Sequence, residues 1–97
     1  MRQTLTDLGA RRQALTRQRA ELDRLKEQRG QLVDDETQLR DDLTALGRDT
    51  ALRKRLLDKF AETQTAIDTV TAAIAKTESA LAAAQKELAS YLAGLKL

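Results

Sequence analysis

Apolar residues recur at seven-residue spacing from Leu25 to Leu95, and this comb constrains the chain more than any other feature. It reads Leu25, Leu32, Leu39, Leu46, Arg53, Phe60, Ile67, Ile74, Leu81, Leu88 and Leu95, with Arg53 the one polar tooth. Seven residues are two turns of helix, so the teeth fall on a single stripe that another helix must cover. The pattern predicts an all-α chain of long helices packed side by side. It contains no chemical site.

Composition points the same way. The 97 residues make one domain at most and include no Pro, Cys, His, Trp or Asn. Phe60 and Tyr91 are the only aromatic residues, too few for an ordinary globular core. Leu, Ala, Arg, Lys, Glu and Gln dominate, and all are strong helix formers. Without His or Cys, zinc sites and nucleophile–His pairs are ruled out. There is no Gly-rich phosphate loop. Together these features predict a non-enzymatic protein with no cofactor and no metal.

No apolar run approaches the ~18 residues of a membrane span, and no apolar core of a signal peptide follows Met1. A cytoplasmic protein without membrane insertion is the expectation.

The comb changes register once. Up to Leu46 the second seam position lies three residues before each tooth, as Leu22 before Leu25 and Leu43 before Leu46. Beyond Phe60 it lies three residues after, at Thr63, Val70, Thr77, Ala84 and Tyr91. The slip coincides with Gly47-Arg48-Asp49-Thr50. Gly favours the left-handed conformation that ends a helix, and Asp49 or Thr50 can cap the next. The expected fold is a long antiparallel helical hairpin over 1–97: helix 1 over about 4–46, a turn at 47–49 and helix 2 over about 50–93. Thr4 and Asp7 fit a capping box at the start. The alternative is one continuous helix in a parallel coiled coil, with a three-residue stammer and a mid-helix Gly.

The predicted helix–helix interface is Leu8, Leu15, Leu22, Leu25, Leu32, Leu39 and Leu46 on helix 1. On helix 2 it is Phe60, Ile67, Val70, Ile74, Leu81, Leu88 and Leu95. Arg29, Glu36, Arg53, Thr63 and Thr77 also fall on the stripe, where polar residues fix register at a cost in stability. Folding the chain about residue 48 pairs residue i with roughly 96 − i. That sets Asp41 and Asp42 opposite Arg55 and Lys54, acidic band against basic band.

A lone two-helix seam is marginal in stability, and the many Ala of residues 61–95 widen the apolar face of helix 2. The chain is therefore expected to associate further into a helical bundle, with itself as a homo-oligomer or with a helical protein partner. The expected role is a coiled-coil spacer, assembly component or adaptor acting through helix–helix contacts. One alternative is an adaptor, chaperone or structural component of a secretion or viral assembly.

A second alternative starts from the charges. Residues 1–33 carry a net charge of +4, from eight basic and four acidic groups. Arg11, Arg12, Arg17 and Arg19 precede the Leu25–Leu46 zipper, the arrangement of a basic helical module that contacts nucleic acid phosphates non-specifically. Base-reading zippers use an Asn, which this chain lacks, and Glu21 and Asp23 interrupt the basic face. Nucleic acid is thus the weaker expectation. The acidic run Asp34-Asp35-Glu36 with Asp41 and Asp42 lacks the spacing of a calcium loop.

Overall fold

The computed structural model describes residues 2–48 and 50–95. Two helices form an antiparallel hairpin: α1 over Arg2–Ala45 and α2 over Thr50–Gly94. With no Pro to interrupt them and few Gly, both run uninterrupted for more than forty residues. The chain is not one continuous helix. α1 already includes Arg2, so Thr4 stands inside the helix rather than capping it; local propensity continues through Thr4 with nothing to stop it.

Gly47 makes the turn. Its φ is +65°, the left-handed region in which a side chain is strained, and a β-carbon added there would touch nothing within 4 Å. The amide of Leu46 still donates to the Asp42 carbonyl at 3.0 Å, so the helical pattern persists up to the glycine. Arg53 lies just past the turn and is exposed rather than in the seam. Its Nη1 donates to the Leu43 carbonyl at 3.4 Å, one of the carbonyls a helix end leaves without a backbone partner. Asp49, the other proposed cap, lies outside the described residues, and Thr50 is the first residue of α2.

The chain packs as two compact units. The first joins Met1–Arg24 to Ile74–Leu97, and its buried apolar residues are Leu15 and Ile74. The second is Leu25–Ala73, with Leu25, Leu39 and Val70 buried. No described side chain is fully buried, and Ile74, at 3% exposure, comes closest. Each unit is thus a single thin seam, as two helices without a third layer must be.

Threonine fits this arrangement. Thr63 sits half-buried in the seam, and its hydroxyl donates to the Lys59 carbonyl four residues back at 2.8 Å. Thr6, Thr16, Thr37, Thr44, Thr65 and Thr69 bond back in the same way. The hydroxyl is satisfied within its own helix, and the methyl remains for packing.

Burial ranks the seam residues. Ile74→Ala should cost about 2–4 kcal/mol in chemical denaturation, while half-buried Leu22→Ala should cost less. A cost below about 1 kcal/mol for Ile74 would place it on the surface.

The glycines give a second check with opposite signs. Gly30 lies within α1 with open space around it, so Gly30→Ala should stabilise by roughly 0.5–1 kcal/mol. Gly47→Ala should destabilise by about 1 kcal/mol through its backbone alone. Equal effects in a denaturant titration would contradict this turn.

Candidate helix–helix interface

The interface follows from two alternating spacings. From α1 into the turn the inward residues step by four and three through Leu8, Arg11, Leu15, Gln18, Leu22 and Leu25, then Arg29, Leu32, Glu36, Leu39, Leu43 and Leu46. From α2 to the residue just past it the same alternation runs through Leu56, Phe60, Thr63, Ile67, Val70 and Ile74, then Thr77, Leu81, Ala84, Leu88, Tyr91 and Leu95. All of these are buried or half-buried. The fourteen leucine, isoleucine, valine and phenylalanine positions expected at the interface lie on these two lines. Leu15, Leu25, Leu39, Val70 and Ile74 are buried, and Leu8, Leu22, Leu32, Leu46, Phe60, Ile67, Leu81, Leu88 and Leu95 are half-buried.

Side chains near the chain ends close the first unit. Arg11 Nη1 pairs with Glu87 Oε1 at 2.5 Å, and the guanidinium stacks over the Tyr91 ring, 4.5 Å from its centroid. Tyr91 in turn donates its hydroxyl to the Thr4 carbonyl at 3.1 Å. One residue of α1 is therefore held by two of α2 through charge and π-stacking together. Glu87 is largely exposed, so the ion pair itself adds little. Arg11, a proposed phosphate contact, is thereby engaged within the hairpin. Its place three residues after Leu8, on a seam position, is the sequence signal for that role. Arg12, Arg17 and Arg19 are exposed.

The second unit repeats the theme around Glu36. Arg40 Nη2 lies 3.3 Å from Glu36 Oε1, and its guanidinium stands 5.9 Å from the Phe60 ring centre. Glu36 Oε2 is buried with no hydrogen-bond partner, and so is Arg11 Nε in the first unit. Arg11 and Glu36 thus each leave one group desolvated, the cost expected of polar residues at such positions.

The acidic and basic bands do not meet as expected. Among the described residues no ion pair joins Asp41 or Asp42 to Lys54 or Arg55. Folding about residue 48 does put them at similar levels along the helices. Asp41, Lys54 and Arg55, however, stand on outward faces and are exposed, while Asp42 accepts from Gln38 Nε2 at 3.0 Å within its own helix. Level along the axis does not fix direction around it.

The remaining ion pair is local. Arg24 bonds Glu21 through Nε at 3.1 Å and Nη2 at 2.5 Å. These bonds, ahead of simple charge attraction, hold the Glu21 carboxyl below its ordinary value and raise that of Arg24. The carboxylate's contribution is therefore complete above the ordinary Glu range and lost as pH falls through the lowered value.

Among the described residues no cluster of three or more His, Cys, Asp or Glu has a metal-holding arrangement, and no helix is long and apolar enough to cross a membrane. A shallow recess beside the turn is lined by Asp42, Ala45, Leu46, Leu52 and Leu56. No family model, curated protein or solved structure matches the chain.

Two leucine substitutions separate a seam position from an exposed one. Glu36→Leu removes a partnerless buried oxygen and fills the seam, so it should stabilise by about 1 kcal/mol. Arg53→Leu, expected from the comb alone to stabilise, should bring no gain, because Arg53 is outside the seam and caps the Leu43 carbonyl. Thermal melts of the two variants in parallel check this; a rise for Arg53→Leu alone would reverse the assignment.

Proposed function

We propose that this protein is a non-enzymatic coiled-coil interaction module: an assembly component, spacer or adaptor that works by packing further helices against its hairpin. The observation that carries this reading is under-burial. The described core is five residues, none of them fully buried. Accessible surface totals 7515 Å², against roughly 5,500 Å² for a compact monomer of 10.8 kDa. Leu5, Val33, Leu57 and Leu92 are each more than two-fifths exposed. A partner helix, from a second copy or another protein, would cover this surface and add the layer that two helices lack.

A second reading has one supporting observation. Arg12, Arg17 and Arg19 are exposed and form no ion pair among the described residues, so they are free to contact phosphates non-specifically. Duplex DNA of arbitrary sequence, titrated at low salt, tests it: binding that falls steeply with added salt supports it, and no binding removes it.

Association stabilises a folded state by mass action, so the interaction reading makes thermal stability depend on concentration. Melts over a hundredfold range of protein concentration should show a rising midpoint if a second copy is the partner. A constant midpoint together with a single-chain mass would remove self-association and leave only a different helical protein.

A further inference from the structure

Four positions flank the seam and decide what a second layer would meet. With Leu22 at heptad position a and Leu25 at d, the residue after each d is e and the residue before each a is g. In α2 Phe60 is a and Thr63 is d. An antiparallel pair places the two e rows on one side and the two g rows on the other.

The two sides differ in burial. Every e residue of both helices is exposed, whereas Asp7, Glu21 and Asp42 of α1 and Ala66, Ala73 and Ala80 of α2, all at g, are half-buried. They also differ in charge. The e row of α1 holds Arg12, Arg19, Lys26 and Arg40 and no acid. Its g row holds Asp7, Glu21, Asp35 and Asp42 and no base. The split holds within each unit separately: Arg12 and Arg19 against Asp7 and Glu21 in the first, Lys26 and Arg40 against Asp35 and Asp42 in the second.

Side-chain size differs too. Four of the five exposed large apolar residues, Leu5, Val33, Leu57 and Leu92, are at e, and the fifth, Leu52, is at g. The g side instead carries the small Ala14, Ala66, Ala73 and Ala80. One side is basic with protruding leucines, and the other is acidic with alanine hollows.

We propose that a second copy of this chain docks its acidic, alanine-bearing g side on the basic, leucine-bearing e side of the first. This rests on the interaction reading above and names its partner. The α2 flanks add little to the split: its e row, Leu57, Gln64, Thr71, Glu78, Gln85 and Leu92, holds one acid, and the Lys59 and Glu87 of its g row cancel. Two e sides brought together would set the basic rows of α1 in one like-charged layer, and two g sides would do the same with acid. The contact is therefore heterologous, each copy offering one side and keeping the other free, which builds rings or open chains rather than a closed two-fold dimer.

Charge reversal on each side tests this in solution, with mass read by light scattering on an eluting peak and helicity by circular dichroism. The wild-type chain in about 50 mM salt should run at two or more times 10.8 kDa and approach the single-chain mass in about 1 M salt. Arg12→Glu, Arg19→Glu and Lys26→Glu together make both sides acidic. Asp7→Lys, Asp35→Lys and Asp42→Lys together make both basic. None of these residues is in an ion pair among the described residues, so each variant should stay helical and run as a single chain. A one-to-one mixture of the two should associate again at low salt. Wild-type association that survives reversal of the g side alone would mean that e pairs with e, overturning the proposal while leaving self-association standing. No recovery in the mixture would also overturn it. A wild-type chain that stays single at every concentration would end both the proposal and self-association.

Discussion

An apolar stripe two positions wide has to be covered, and on this chain another helix is the only available cover. With two aromatic residues and no strand-forming sequence, burial must come from leucine, isoleucine, valine and alanine meeting across a helical seam. The stripe sets the helices' lengths, because every turn that carries it gains burial. It also sets the position of the turn, because the stripe can be covered within one chain only if the chain reverses near its middle. Gly47 supplies that reversal at low conformational cost.

A thin seam has consequences for polar residues. In a thick core Arg11 and Glu36 would be costly; here their head groups reach the edge of the seam and find Glu87, Tyr91 and Arg40. Their stems cover apolar surface; the Arg11 side chain keeps a third of its surface exposed, while Glu36 keeps only 15%. The oxygen of Glu36 and the nitrogen of Arg11 left without partners show where this compromise is incomplete. Of the two ion pairs only Arg11–Glu87 joins α1 to α2; Arg40–Glu36 lies within α1.

Seven-residue spacing makes the fold legible in the amino-acid sequence: Leu15, Leu25, Leu39, Val70 and Ile74 are buried where the period sets them. Arg53 falls on the stripe by the heptad phase of either helix, yet it is exposed, because it stands at the start of α2 beside the turn and reaches back to the Leu43 carbonyl. Pairing about residue 48 gives the right level for Asp41, Asp42, Lys54 and Arg55 but not their direction. Charge alone makes Arg11 a surface group, although its spacing from Leu8 marks the seam. The e and g rows are equally present in the sequence. They become legible only once the seam phase of each helix is fixed, because a shift of one residue exchanges flank for face.

α1 and α2 lie antiparallel within one chain. Spin labels attached after Gln3→Cys and Ala93→Cys, both exposed positions of the first unit, test it by pulsed electron–electron distance measurement, with labelled protein diluted into unlabelled. Helices packed 8–10 Å apart predict a label separation of roughly 15–30 Å. An unbroken helix would separate the same positions by about 135 Å, and the absence of any short distance would contradict the hairpin.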